Sequence, residues 1–316
     1  MHPAKSVIYF TVATGAGYGL FFWLALLAFM GALPADKVMG FVMLTISFGL
    51  IVSGLISSTG HLGRPERAWR ALSQWRSSWL SREGVMAILT FIPMGIFGVY
   101  WVFLGQNTGI PSAIGLLGAG MALVTVFTTS MIYASLKAIP AWHNIWTKIG
   151  YLVLSLMSGA VLALALASIF GLSNVALLVG LPATILLALG LLVKIMYWRH
   201  IDVAKAVSTA QSATGLGRFG KVSQAASPHS ADNYLLKEMG FKIARQHARK
   251  IRWIAGFFGF VFPFLLILVG DSFFGGSMAV YILAAVSCIL GLVFERWLFF
   301  AEAKHVVTLY YGETKV

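Results

Sequence analysis

The sequence predicts an all-α integral membrane protein, a bundle of eight transmembrane helices with both termini in the cytoplasm. Of its 316 residues, 59% are apolar and only 10% are charged, and its mean hydropathy is +0.85. Water-soluble domains are about half apolar and about a quarter charged. Eight segments are also long enough to cross the hydrocarbon core, which takes about 20 apolar residues per helix. These observations exclude an ordinary soluble domain, a disordered chain and a disulfide-stabilised secreted module.

The eight apolar segments follow one another along the whole chain, so residues 1–316 are predicted to form a single membrane domain. The first segment is too long for the apolar region of a signal peptide and lacks a clear cleavage site, so we expect it to be retained. The segments comprise residues 7–31, 38–60, 84–105, 112–136, 149–170, 175–197, 253–269 and 277–301.

The basic residues predict the orientation of the bundle. An even number of spans places both termini on one side, and of 23 lysines and arginines only Lys37 falls in the connections on the other side. Those connections are short: 32–37, 106–111, 171–174 and 270–276. Basic residues are enriched in cytoplasmic loops. We therefore expect the termini to be cytoplasmic and the protein to lie in a bacterial inner membrane.

Two longer connections lie on the side of the termini, where we expect soluble partners to dock. The connection 61–83 is rich in Trp and Arg and is predicted to form a short amphipathic helix along the interface. Its arginines are Arg64, Arg67, Arg70, Arg76 and Arg82. The connection 198–252 begins with a Gly-, Ser- and Ala-rich stretch, which is typical of a flexible linker. Residues 234–250 are predicted to be helical.

The scarcity of cysteine and histidine within the spans limits the cofactors that this protein can hold. Its one cysteine, Cys288, cannot hold an iron–sulfur cluster, so any such cluster belongs to a partner. The seven histidines lie near or beyond the span ends, which argues against a pair of haem ligands inside the bilayer. A single haem at the edge, held by His61 or His143, remains an alternative.

Ionisable residues inside the spans are expected to be few. Only Glu295 and Arg296 are assigned to a span interior, in the last turns of the eighth span, where they either pair or extend to the interface. So few ionisable residues inside the spans give only weak support for an ion transporter. The net charge of +13 is explained by cytoplasmic loops, so we expect no nucleic acid as partner.

The stretch from His61 to Glu83 concentrates the residues that can do chemistry. His61 follows the second span, and Pro65 prevents easy continuation of that helix. Glu83 is expected at the start of the third span, with Ser81 as its cap. A helix-favouring glutamate and cytoplasmic arginines are the simpler explanation. The combination nevertheless indicates a site for a quinone, which needs an apolar groove, a hydrogen-bond donor and a proton carrier.

Two motifs resemble the DmsC-type membrane anchor subunits of dimethyl sulfoxide reductase-like molybdenum enzymes. The first is HLGRPERAWRAL at residues 61–72 with the LSREG stretch that carries Glu83, and the second is IPAWHNIWTKIGY at 139–151. The resemblance extends more weakly over nearly the whole chain. It implies an eight-helix protein that exchanges electrons with quinone and holds two partners, an iron–sulfur subunit with four clusters and a molybdopterin catalytic subunit.

The resemblance also implies a set of site residues. His61 would donate to a quinone oxygen and Glu83 would relay protons. The further residues implied at the pocket or its border are Arg64, Arg67, Tyr133, Trp142 and Arg296. Arg64 and Arg67 could instead hold the iron–sulfur subunit. The expected cofactor is quinone, ubiquinone before menaquinone, and neither a metal site nor haem is expected in this protein.

The inward-facing His61 patch is similar to that of the SoeC-type anchors of cytoplasmic sulfite-oxidising molybdoenzymes, which also have a long connection before the seventh span. The resemblance therefore implies that electrons from sulfite oxidation pass to quinone. Two alternatives remain open at this point. One is a quinol-oxidising anchor of a dimethyl sulfoxide reductase-like enzyme, and the other is a transporter or a passive anchor.

Overall fold

A computed structural model describes residues 5–60, 62, 64–204, 206–226, 246–273, 277–314 and 316, and shows them to be predominantly helical. It contains eight helices that are long and apolar enough to cross a membrane. Within the described residues there is no β-strand, only an isolated bridge in which Ser208 and Val316 exchange backbone hydrogen bonds. The predicted all-α class and the eight spans are confirmed, whereas the cytoplasmic location of the termini stays a prediction.

The eight spans are named α1 to α8 in chain order. The third ends in a π-helical turn, Tyr100–Leu104, and the seventh is interrupted by one, Phe257–Val261. The spans are α1 (Lys5–Phe29), α2 (Lys37–Thr59), α3 (Trp79–Leu104), α4 (Ile110–Ala134), α5 (Ile145–Ile169), α6 (Ser173–Val203), α7 (Ala248–Gly270) and α8 (Met278–Ala301).

Consecutive spans run antiparallel, so α1, α3, α5 and α7 begin at the face where α2, α4, α6 and α8 end. We call this the terminal face. The hydroxyl of Ser57 near the end of α2 donates to the Ser6 carbonyl near the start of α1, at 3.1 Å. Ser287 of α8 donates to the Phe258 carbonyl of α7, at 2.7 Å. The long connections that the structure describes therefore emerge at the terminal face.

Helices α1 and α5 form the centre of the bundle. Within the most apolar 18-residue stretch of each span, 72% of α1 and 67% of α5 is buried inside the bundle, against 33–44% for the other spans. Ser155 of α5 donates to the Gly15 carbonyl of α1 at 2.6 Å, and Gly159 lies against the backbone of Gly19. Small residues let membrane helices approach this closely. The remaining spans pack around this central pair.

Gly19→Ala is expected to destabilise the protein by about 1–3 kcal/mol, because the added Cβ would overlap the Ser155 carbonyl oxygen and push α1 away from α5. Gly15→Ala is the matched control on the same helix, since a Cβ at Gly15 meets nothing within 4 Å. Thermal unfolding of detergent-solubilised protein measures both. Equal unfolding temperatures for the two variants would contradict the close α1–α5 contact.

The helix ends differ from the predicted spans, because hydropathy locates the hydrocarbon core whereas capping residues set where a helix begins. Helix α3 begins at Trp79, five residues before the predicted 84, and its cap is Ser78, whose hydroxyl accepts from the Ser81 amide. The prediction that Ser81 caps this helix is wrong. Glu83 consequently lies inside the helix, just over one turn from its start.

The connection before α3 contains a 3-10 helix over Pro65–Gln74, in the segment predicted to form a short amphipathic helix, and its place along the membrane interface stays a prediction. Its Trp69 is exposed, and it is fastened to α3 by the Ser81 hydroxyl, which donates to the Ala71 carbonyl. The Arg82 guanidinium donates to the carbonyls of Trp75 and Arg76, at 3.0 and 2.7 Å. This segment therefore holds a fixed position beside Glu83.

The second long connection contains a short helix, Ala210–Thr214, and a 3-10 turn at Leu216–Phe219. A further 3-10 turn, Val306–Tyr311, follows α8. Most of the helix predicted at 234–250 lies outside the described residues.

Candidate functional site

Glu83 is a buried carboxylate between α3 and α4. It is 5% exposed, and it accepts a hydrogen bond from the Thr129 hydroxyl of α4. Deeper in the bundle, the hydroxyls of Thr90 and Thr125 hydrogen-bond to each other at 2.9 Å across the same two helices. Among the described residues, no lysine or arginine forms an ion pair with Glu83. A buried carboxyl without a cation is costly to keep charged, and such groups in membrane helices mark proton pathways.

A small polar cavity adjoins Glu83 through Thr129. Its volume is about 20 Å³, which is enough for about one water molecule. It lies between α1, α4, α5 and α8. The polar residues that line it are Thr11, Thr14, Thr129, Tyr151, Ser155, Ser158 and Arg296. The cavity therefore connects the Glu83 neighbourhood to the basic side chain of α8.

Arg296 belongs to a buried cluster of three charges on α6 and α8. Its Nε lies 3.0 Å from Glu295 Oε2, and Lys194 Nζ of α6 lies 2.5 Å from Glu295 Oε1. Lys194 is 4% exposed and Arg296 is 5% exposed. The expectation that only Glu295 and Arg296 lie within the spans is wrong, because Lys194 is also inside and provides a partner. The burial of Arg296 also shows that it does not extend to the interface.

An aromatic cluster packs over these charges on the side of the terminal face. The rings of Tyr133 and Trp142 are 5.2 Å apart, and the Arg296 guanidinium lies 4.0 Å from the ring centre of Tyr151. The Trp142 indole donates to the Phe299 carbonyl at 2.8 Å, which ties the connection between α4 and α5 to the end of α8. The cluster therefore fixes the positions of Tyr151 and Arg296 at the cavity.

Four of the seven predicted site residues lie in one region of the terminal half, and their roles stay predictions. They are Glu83, Tyr133, Trp142 and Arg296. Arg64 and Arg67 are exposed on the segment before α3, away from the cavity, and Arg67 lies 3.9 Å from Glu66. His61 lies outside the described residues, so its place beside Glu83 stays a prediction.

Sequence reasoning missed several polar residues of this region. Thr129 belongs to a run of hydroxyl residues that looks like ordinary small-residue packing between helices. Ser155 and Ser158 also look like small packing residues. Tyr18 of α1 is also buried near Glu83, and its hydroxyl has no hydrogen-bond partner in the described part of the chain. Lys194 was detectable, since a lysine within an apolar run of about 20 residues needs a buried partner or a route to water.

A second charged group lies at the terminal-face ends of the spans, where α6 and α8 end and α7 begins. Arg252 contacts Asp202 at 2.5 Å and Glu302 at 2.7 Å. Burial raises the pKa of the Glu302 carboxyl, although Arg252 opposes this effect. These residues line an open pocket of about 560 Å³ at the terminal face.

Comparisons with known proteins agree on one family. The profile of the DMSO reductase anchor subunit (DmsC) matches residues 1–301. The C subunit of sulfite dehydrogenase from Allochromatium vinosum is 33% identical over 325 positions, which cover 98% of this protein and 99% of that one. The C polypeptide of anaerobic dimethyl sulfoxide reductase from Escherichia coli is 30% identical over 213 positions, covering 66% of this protein and 72% of that one.

Proposed function

Because this chain belongs to the DmsC family of anchor subunits, we propose that it is the membrane anchor and quinone-binding subunit of a sulfite-oxidising complex. Electrons from sulfite oxidation on the cytoplasmic side would reach quinone, ubiquinone before menaquinone, at the Glu83 site. The partners are an iron–sulfur subunit with four clusters and a molybdopterin catalytic subunit. The buried carboxyl of Glu83, which forms no ion pair with a described lysine or arginine and lies beside a polar cavity, carries the proposal for the site.

The end-to-end match to a sulfite dehydrogenase subunit supports sulfite as the electron source, since both proteins are covered almost completely. The shorter match to a dimethyl sulfoxide reductase polypeptide supports the opposite direction as the second candidate function, with quinol as the electron donor. The exposed arginines before α3 support docking of the partner on the terminal face. Basic residues at that face support its assignment to the cytoplasm of a bacterial inner membrane.

We propose that the quinone binds beside Glu83, in the lipid-facing space between α2 and α3. The contacts described between α2 and α3 lie at mid-span and beyond it, on the side away from the terminal face: Gly98 faces Leu44, and the rings of Phe48 and Phe91 are 6.0 Å apart. Nearer the terminal face, Ile56 and Leu80 are exposed and provide apolar surface for an isoprenoid tail. The cavity behind Thr129 suits water rather than a ring, because it measures only about 20 Å³.

In this proposal the residues of this protein transfer protons to the quinone and position the groups that do so. Two electrons and two protons convert one quinone into one quinol, and the partner's clusters supply the electrons. Glu83 gives a proton to a quinone oxygen and is reprotonated, with Thr129 orienting its carboxyl. His61 is proposed as the donor of the second proton, to the other quinone oxygen. Proton uptake and electron delivery on one side move no net charge across the membrane.

Affinity purification of the protein from native membranes in mild detergent tests the complex. We expect two larger partner proteins, molybdenum and abundant non-haem iron, identified by mass spectrometry and metal analysis. Sulfite should bleach or shift the iron–sulfur absorption of the sample. Isolation of a lone chain without metal from membranes that oxidise sulfite would overturn the anchor assignment.

A further inference from the structure

We propose that protons reach Glu83 through the interior of the bundle, from the open pocket at the ends of α6 and α8, past the Lys194–Glu295–Arg296 cluster, to the cavity at Thr129. This inference rests on the proposed quinone site and adds the route by which its protons arrive. The route consists of an entrance, a charged centre and an inner cavity.

Stability does not require charged residues in the Lys194–Glu295–Arg296 cluster, because apolar residues could fill the same space. Removing charges from water is expensive, and apolar residues of similar volume often replace a buried ion pair without loss of stability. Here three charges are buried, and one carboxylate is shared by two cations. Such residues inside membrane helices mark ion or proton pathways.

Two cavities meet at this centre. The cavity of about 20 Å³ beside Thr129 is lined by Arg296 and Leu154, and the same two residues line a second cavity of about 10 Å³. Lys194, Glu295 and Tyr197 line the second cavity on its other side. These volumes are near the size of single water molecules. Water in the two cavities would place Thr129 and the ion cluster on one hydrogen-bonded chain.

Buried polar atoms without a hydrogen-bond partner among the described residues extend the proposed route towards the terminal face. The Tyr197 hydroxyl, the Trp198 indole nitrogen and Glu302 Oε2 are buried without a hydrogen-bond partner among the described residues. Lys194 Nζ lies 3.9 Å from the ring centre of Tyr197 and 5.4 Å from that of Trp198. Buried polar atoms are normally paired with protein or with ordered water. These three atoms therefore mark positions for water between Lys194 and Glu302.

The entrance is the open pocket of about 560 Å³ at the terminal face. It is lined by Glu302 and Asp202, both held by Arg252, and by His200 and Lys304. Glu302 faces the pocket from one side and interacts electrostatically with Lys194 on the other. A carboxyl in this position can take a proton from the pocket and pass it inward through water.

Each quinone reduced takes up two protons and two electrons, and this route supplies protons only. Glu83 gives one of these protons to a quinone oxygen, a proton that enters at Glu302 replaces it, and His61 donates the other. Arg296 keeps its proton, because a guanidinium does not deprotonate in proteins. Proton transfer past Arg296 therefore runs through water in the two cavities. The Arg296 cation attracts the Glu295 carboxylate, which would otherwise hold the proton.

The test uses the whole complex with two variants that keep side-chain volume, Glu302→Gln and Tyr197→Phe. We expect both to slow sulfite-dependent quinone reduction about tenfold and to increase its solvent deuterium isotope effect. Sulfite oxidation with an artificial electron acceptor should be unchanged, which shows that the complex is intact. Glu302→Asp should retain most of the rate, and added formate, a small weak acid, should restore part of the rate lost in Glu302→Gln. Glu313→Gln is the control, since Glu313 lies on the same face but off the route.

The possible failures are distinguishable. If the wild-type complex reduces quinone and both variants match its rate and isotope effect, protons enter elsewhere and this inference is wrong. If the wild-type complex oxidises sulfite but does not reduce quinone, the proposed function fails and the route fails with it.

Discussion

Glu83→Gln is expected to slow quinone reduction by sulfite about 100-fold or more in the intact complex. The amide has nearly the same size and can still contact Thr129, but it cannot carry a proton. Positioned acid–base groups contribute about 10²- to 10⁴-fold to rates, which sets the magnitude. The measurement is steady-state quinone reduction in detergent, compared with sulfite oxidation by an artificial acceptor, which should not change.

Thr129→Val and Glu313→Gln complete this comparison. Loss of the Thr129 hydroxyl leaves the buried carboxyl without its hydrogen-bond donor, which costs about 1–3 kcal/mol and should reduce the rate about tenfold. Glu313→Gln removes a carboxylate away from the site and should match wild type. A Glu83→Gln complex that reduces quinone at the wild-type rate would exclude Glu83 as the proton carrier.

Glu295→Ala is expected to destabilise the protein by about 3–5 kcal/mol, which is the usual cost of leaving a buried charge without its partner. Glu295 is the shared anion of the cluster, so its loss leaves Lys194 and Arg296 as two buried cations close together. Lys194→Met should cost less, because Glu295 keeps Arg296 as its partner. Thermal unfolding of the purified protein in detergent measures both variants.

Lys137→Met and Glu313→Ala are the matched controls for this series. Both side chains lie on the terminal-face connections rather than within a span, and their removal should shift stability little. If Glu295→Ala unfolds at the wild-type temperature, the three charges do not form a buried cluster in the membrane.

The fold was predictable from the sequence because membrane helices are defined by local properties. Each backbone polar group must pair within its own helix, so about 20 apolar residues are sufficient evidence for a span. Helix ends were less predictable. Ser78 caps α3 although Ser81 looked equally suitable, and the choice depends on the contact of Ser81 with the Ala71 carbonyl of the preceding segment.

The site was only partly predictable because its contacts join distant parts of the sequence. Glu83 was recognised from its motif, but its partner Thr129 is 46 positions away on another helix. Lys194 is visible in the sequence as a lysine within an apolar segment, but its partner Glu295 lies about a hundred positions later. Hydropathy does not identify such a partner, so only the contact between α6 and α8 in the structure reveals the pair. The place of His61 stays a prediction from its motif.

Anaerobic turnover of the purified complex shows most directly whether this protein passes electrons from sulfite to quinone. Supplied with sulfite and a short-chain ubiquinone, the complex should form one quinol for each sulfite consumed, followed by absorbance. His61→Ala should abolish this reaction and leave sulfite oxidation by an artificial acceptor intact. Active sulfite oxidation without quinol formation in the wild-type complex would contradict the proposed function.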